Sequence, residues 1–457
     1  MKLDYKRTIL VGLAFLSISA FWQMYDSVVP LILTNNFNLN ETWSGAIMAA
    51  DNILALFLLP FFGALSDKIN TPIGRRMPFI LFGTVCAVIL VNILPRLANG
   101  FYATQSGPML VGFIVILGLL LISMGTYRSP AVALMPDVTP KPLRSKGNAV
   151  INLMGALGGI IYLAITAVLY SSSRIEAHYT LGYIAGEDGV QTAVVNYSTL
   201  FTVVSVIMAV AVIILFLTIR EPKLAALNRA YEEAHPEQNL AEKTEDGGEE
   251  LPKAVRKSLI CLLLSIALWY IGYNGVTTWF TTYISRVMGE GIGGASTCLL
   301  VATGGAILSY IPAGSIASRI GRRKTIMGGV VLLAACFLTA GFIMNSATSI
   351  TPIMYVLFVL VGIAWAAINV NSLPMVVEMC KGSEVGKFTG YYYTFSMAAQ
   401  VVTPIVAGTL LRNVGYKILF PYAAFFVACA FVTMSMVRHG DNKVEAKKGL
   451  DAFDVDD

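Results

Sequence analysis

The chain has 457 residues, 56% of them hydrophobic and 13% charged, with a formal net charge of +5 and a mean hydropathy of +0.70. A soluble domain carries about 25% charged residues, so a water-facing globule is excluded. Apolar runs of roughly 20 residues, each long enough to cross a ~30 Å hydrocarbon layer, recur from end to end, and the chain reads as an all-α integral membrane protein.

In chain order the apolar segments fall near residues 9–33, 43–66, 78–97, 108–133, 147–171 and 196–219, and then 257–284, 293–317, 325–346, 351–376, 388–411 and 417–437. The first is too long for a signal-peptide core and lacks an A-x-A cleavage site, so it reads as a retained span. Twelve transmembrane helices follow, six on each side of a polar stretch. The expected units are an N-terminal six-helix bundle over 1–219, a cytoplasmic linker over 220–256, a C-terminal bundle over 257–438 and a tail over 439–457. The linker is rich in Glu and Lys, with a helical start at AALNRAYEEA and no apolar periodicity after it. Lys and Arg accumulate on cytoplasmic loops. With the N-terminus inside, the inner segments hold nineteen of them (Lys2, Lys68, Lys141, Arg319, Lys381 and Lys387 among these), against five outside at Arg96, Arg174, Arg286, Arg412 and Lys417. Both termini are therefore expected in the cytoplasm, with the protein in the cell membrane among lipids and without nucleic acid. Six cysteines, including Cys380, lie in or beside apolar runs with no CxxC pair, which argues against a disulfide framework or a zinc site.

The stretch GALSDKINTPIGRRMPF, opening at Gly63, returns as GSIASRIGRRK at Gly314, 251 positions later. Tyr25 and Tyr273 are 248 apart, Pro130 and Pro374 are 244 apart, and Gly147 and Gly390 are 243 apart. Two six-span halves in parallel repeat are the layout of secondary transporters, whose substrate site lies near the midplane between the halves.

Gly63-x3-Asp67-Lys68 followed by Gly74-Arg75-Arg76 resembles the loop-2–3 signature of the major facilitator superfamily. The longer spacing before Gly74, Pro78-Phe79 after the arginines, and Pro130-Ala-Val-Ala-Leu-Met-Pro-Asp137 are similar to its sucrose–proton and glycoside–pentoside–hexuronide symporter branch. Ser318 stands where the second loop would carry an acid, and Val132 where plant sucrose symporters carry an arginine. The resemblance implies two bundles related by a pseudo-twofold axis and acting as a monomer. Spans one, two, four, five, seven, eight, ten and eleven would line a cavity used for alternating access. It further implies coupled symport of a sugar or glycoside with H+ or Na+.

The residues themselves suggest a cytoplasmic latch of Gly63, Asp67, Gly74, Arg75, Arg76 and Asp137, echoed by Arg322 and Arg323, with Glu378 at the end of span ten belonging to the second copy. Topology charges alone would explain the arginines but not Asp67. The latch is expected to stabilise the outward-open state and to break on inward opening.

Ionisable side chains inside a bilayer cost about 2.5–3.5 kcal/mol on insertion scales, so those retained are functional candidates. They are Asp26, Asp51 and Arg128. At ~1.5 Å per residue, the two aspartates should sit at similar depth, with Arg128 nearer the cytoplasm. An Asp26–Arg128 pair would need tilt or a break near Pro130. Asp26 or Asp51 is the expected cation-coupling group, since a carboxyl in low dielectric holds its proton and can load and unload it. Sodium is also compatible with carboxylate oxygens. The alternative is a structural aspartate satisfied by Asn52.

Polar and aromatic side chains at helical spacing cannot all face lipid. Trp22, Gln23, Arg128, Asn152, Tyr270, Asn274, Thr278, Trp365, Asn369, Tyr393 and Gln400 form the candidate substrate-binding set. Thr277, Thr281, Ser396, Asn148, Trp269, Tyr273 and Trp279 lie nearby. Amide and charged groups suit sugar hydroxyls and aromatic rings suit the apolar sugar face, so a saccharide is the expected partner. A facilitator or exporter of another amphipathic solute is the alternative. No HExxH, GxSxG or GxxxxGK[ST] occurs, and His178, His235 and His439 fall in loops. The chain reads as neither an enzyme nor a binder of cofactor or metal.

Overall fold

The computed structural model describes residues 3–140, 143–234, 252–379 and 385–441. Much of the expected linker and tail, together with Lys141, His235, Cys380 and Lys381, lies outside the described residues. Twelve helices are long and apolar enough to cross a membrane: Tyr5–Asn36, Glu41–Lys68, Met77–Thr104, Gly107–Val138, Lys146–Leu169 and Ser198–Thr218, then Lys253–Met288, Ile292–Ile320, Arg322–Met344, Pro352–Val377, Gly386–Val414 and Tyr416–Ser435. We number them as spans one to twelve. Each coincides with an expected segment. Several run further into polar sequence, as span three does to Thr104, because a helix keeps bonding its own backbone after it leaves hydrocarbon.

Within hydrocarbon every backbone polar group needs an internal partner, which helices supply. The same helices carry internal prolines, among them Pro30, Pro60, Pro130 and Pro404. Span four continues through Pro130 to Val138 without a break. At the N-termini, Asp4 accepts from the Arg7 amide at 3.1 Å and Asn40 from the Trp43 amide at 3.0 Å, filling donors that a helix start leaves open.

Two large hydrophobic cores form, beside a small cluster of Leu3, Leu143 and Val150. One draws on residues from Val11 to Ile219 together with Ile292, the other on residues from Leu259 to Val437. These are the two six-helix bundles. They meet where span one packs on seven, two on eleven and five on eight. In the second pair, Gly45 lies against the Pro404 backbone and Gly408 against the Glu41 backbone, so a side chain at either position would part the helices.

Spans one and seven both end in a π turn, Ile32–Asn36 and Ile284–Met288, which carries the repeat into local geometry. A β-hairpin stands in the outer loop between spans five and six, where the sequence analysis assigns no element. Its strands β1 (Thr180–Ala185) and β2 (Gln191–Val195) pair antiparallel. The turn between them uses positive φ at Asp188 (51°) and Gly189 (81°). After span six a helix runs Glu221–Ala234, starting earlier than the expected AALNRAYEEA.

Candidate functional site

Two chambers lie between the bundles. The larger, about 560 Å³, takes Trp22 and Asp26 from span one, Asp51 and Asn52 from span two and Arg128 from span four. From the other half it takes Tyr270, Asn274, Thr277 and Thr278 of span seven, Trp365 and Asn369 of span ten, and Tyr393, Ser396 and Gln400 of span eleven. The smaller, about 490 Å³, is lined by Ser19, Gln23, Asn148, Asn152, Thr303 and Tyr310, among others. Trp22, Asp26, Arg128 and Tyr393 border both, forming a waist. Every membrane residue singled out for cation or substrate binding therefore lines one chamber or the other, with Gln23 and Asn152 in the smaller only.

The aromatic groups are held rigidly. The Trp365 ring stacks on Tyr273 at 3.8 Å and 8° and meets Tyr270 edge-on at 5.4 Å. This fixes an apolar plate in the C-terminal half. Across the cavity Trp22 is braced edge-on by Phe21 (5.2 Å) and Tyr25 (5.4 Å). The Arg128 guanidinium lies 5.9 Å over its ring, a cation–π placement. Trp22 Nε1 and Asn274 Nδ2 are buried donors without a protein partner among the described residues. Oxygens of a bound solute would satisfy them.

Asp26, Asp51 and Arg128 border the same chamber. Arg128 reaches this site although span four stays helical at Pro130, so the break considered from sequence is not needed. One Asp51 oxygen, Oδ1, accepts from the Asn52 amide at 2.6 Å and from Asn52 Nδ2 at 2.8 Å. The Asn52 contact weighed as the structural alternative is thus present on that oxygen. Three residues near the stripe serve elsewhere. Trp269 and Trp279 are fully buried in the C-terminal core, and Thr281 donates to the Ser27 carbonyl at 2.8 Å.

The latch charges pair within each half. Arg75 Nη2 binds Asp137 Oδ1 at 3.0 Å, Arg76 Nε binds Asp137 Oδ2 at 2.8 Å, and Arg76 also pairs with Asp67. Gly63 lets span two approach span four, where Ser129 donates to the Leu59 carbonyl at 2.8 Å. Glu221 was not foreseen. Its carboxylate, 1% exposed, accepts from the amides of Arg75 (2.8 Å), Arg76 (2.9 and 3.1 Å) and Met77 (2.9 Å), so it caps span three from the far end of the bundle. Gly74, at φ 119°, is needed because a Cβ there would strike that carboxylate. The second half repeats the plan: Arg322 pairs with Glu378, the Arg323 amide donates to Asp441 at 3.3 Å, and Ser318 only bonds its own helix. All these charges and caps sit within single halves while the outer side is shut. The pairs named here are therefore intact in this conformer, each within its own half.

The outer side is closed by a polar seam. Asn35 Nδ2 donates to Ser285 Oγ at 3.3 Å, Arg286 donates to Asn35 Oδ1 and the Thr34 carbonyl, each at 2.9 Å, and Tyr416 OH donates to Glu41 at 2.7 Å. On the basic side the smaller chamber reaches Asn148 and Val132, near the ends of spans five and four. With the basic loops on the inside, as the charge count expects, this conformer faces inward. Sequence reasoning missed this seam, although Arg286 was one of only five basic residues assigned outside.

The sequence profile of the Major Facilitator Superfamily matches residues 11–309 and 295–452. Among curated proteins, the sucrose transport protein SUC3 of Arabidopsis thaliana is 31% identical over 154 residues, which cover 31% of this chain and 25% of that one. The alpha-ketoglutarate permease of Escherichia coli is 28% identical over 198 residues, 43% of this chain and 38% of that one. The chain thus spans well under half the length of these relatives. The inward-open xylose transporter XylE of E. coli shares the fold at TM-score 0.63 and 15% identity, with 97% of each chain covered. The nucleoside transporter NupG does so at 0.64 and 13%, covering 94% of this chain and all of that one. With both halves matched in sequence and the fold shared nearly end to end, the chain belongs to the major facilitator superfamily, a multi-pass membrane transporter and not an enzyme.

Proposed function

We propose that the protein is a symporter that couples a cation, most simply a proton, to uptake of a neutral sugar or glycoside across the cell membrane by alternating access, and that it works as a monomer. The observation that carries this reading is the charge set of the larger chamber, two carboxylates (Asp26, Asp51) against one arginine (Arg128). With both aspartates ionised the cavity holds one uncompensated negative charge, which is costly to enclose within a bilayer. One bound cation neutralises it, so the loaded carrier closes more readily than the unloaded one. Cation binding and the conformational switch are thereby linked. Sodium would serve the same arithmetic through carboxylate oxygens.

The same set disfavours an anionic solute, which would add negative charge, and favours a neutral one. The Trp365 and Trp22 rings offer apolar faces, and Asn274, Asn369, Gln400 and Thr278 offer hydrogen-bonding groups, a lining suited to a polyhydroxylated ring. Likeness to sucrose transport proteins supports the same substrate class.

The test is transport in sealed proteoliposomes with a pH electrode outside. Addition of the transported saccharide should alkalinise the medium. Asp26→Asn or Asp51→Asn should abolish that signal while leaving downhill exchange measurable. Uphill uptake that persists in both variants overturns the coupling. Saccharide flux without any proton or sodium movement would favour a facilitator instead.

A further inference from the structure

We propose that the β1–β2 hairpin is an outer clasp: it is built onto the N-terminal half, hooks the C-terminal half at two separate places, and must let go each time the outer side opens. Its base is fixed to its own bundle. Tyr179 stacks on Tyr170 at 4.5 Å, which in turn stacks on Tyr197 at 5.7 Å. Tyr170 OH donates to the Asn196 carbonyl at 3.0 Å, and Asn99 Nδ2 donates to Asn196 Oδ1 at 2.8 Å. Asn36 at the end of span one donates to the Val195 carbonyl at 3.4 Å. The hairpin therefore travels with the N-terminal half as one body.

Its far end grips the other half. Arg286 Nη1 donates to the Ala185 carbonyl at 3.0 Å, and Thr192 Oγ1 donates to the Ser285 carbonyl at 2.9 Å. Both contacts fall on the π turn that ends span seven. At the tip, Glu187 accepts from the Tyr416 amide, and Asp188 pairs with Lys417 Nζ at 2.7 Å. These reach the start of span twelve. The tip is shaped for the task, because the positive φ values at Asp188 and Gly189 turn the chain tightly and leave two consecutive carboxylates facing the C-terminal half.

Alternating access requires the outer ends of the halves to separate, and none of these bonds survives that separation. The hooks border neither cavity chamber at Glu187, Asp188, Tyr416 or Lys417. The clasp thus sets the balance between outward- and inward-facing states without touching the solute.

The test reads outer opening directly and needs no transported solute, so its failure is separable from failure of the symport reading. Ser27, 1% exposed, lies in the outer seam where its carbonyl meets Thr281. A S27C variant is labelled from outside with a membrane-impermeant maleimide, against the parent chain as background. Adding E187Q/D188N, conservative changes at a half-buried and an exposed position, should raise the labelling rate about three- to tenfold. In a second variant, D188C/K417C in the S27C chain, mild oxidation should suppress labelling and reduction should restore it. Unchanged labelling in the first variant, or undiminished labelling in a second variant whose cross-link is verified by mass, overturns the clasp.

Discussion

Glu221 gives the sharpest quantitative test of the structure. It lies 145 positions from Arg76 in sequence, yet its two oxygens take up the amides of Arg75, Arg76 and Met77. Replacing it with alanine removes the cap of span three, worth about 1 kcal/mol and up to about 2. It also leaves buried donors open at about 1–3 kcal/mol each. Some of that is recovered, because this edge of the bundle lies near water and Arg75 is part-exposed. The expected cost of E221A is about 2–4 kcal/mol. In E221Q one oxygen remains and the charge is lost. Charge–dipole attraction at a helix start is worth about 0.3–1 kcal/mol, more when partly buried, so the expected cost is about 1–2 kcal/mol. The assay is reversible unfolding in mixed micelles, with both variants measured beside the parent. E221A within about 0.5 kcal/mol of the parent, the range of an ordinary surface change, would refute the cap. E221Q falling as far as E221A would show that charge alone acts, and not the acceptor geometry.

Two further outcomes follow from the geometry. Arg76→Ala leaves Asp137, which is 15% exposed, with Arg75 as its one remaining ion-pair partner among the described residues and frees Asp67, which is 57% exposed. The expected loss in the same unfolding assay is about 2–3 kcal/mol, below the buried-pair range because the Asp67 contact is largely in water, with Arg76→Lys falling between. Trp365→Ala removes the apolar plate of the larger chamber. The transport KM should rise roughly ten- to a hundredfold, matching about 1.5–3 kcal/mol of lost aromatic burial, with maximal rate largely kept. Tyr273→Ala, which acts only through Trp365, should move KM less in the same flux assay.

The spans were legible because hydrocarbon thickness forces one length and one composition on every crossing. The cavity was legible for a related reason: Asp26, Asp51, Arg128 and Asn274 are expensive in lipid, so each had to face another helix or water. What escaped the sequence depends on partners far apart in the chain. Nothing local marks Glu221 as the cap of a helix that starts at Met77. The latch residues were identifiable, but their pairing within one bundle was not, because a charge pattern does not say which helix end lies opposite. The hairpin did leave a signal, Asp188-Gly189 between alternating apolar residues, and it was overshadowed by the search for membrane spans. The inversion of Thr281 from cavity stripe to outer seam has a geometric cause. It lies beyond Asn274, Thr277 and Thr278 toward the outer end of span seven, where the bundles already touch.

That each half holds its own capping carboxylate, Glu221 in one and Asp441 in the other, bears on where the free energy of switching resides. Neither bundle borrows an inner-side charge partner from its twin among the pairs described above. The contacts between halves that outer opening must break include the polar seam and the hairpin hooks, while each inner carboxylate holds a helix start of its own half as the bundles move.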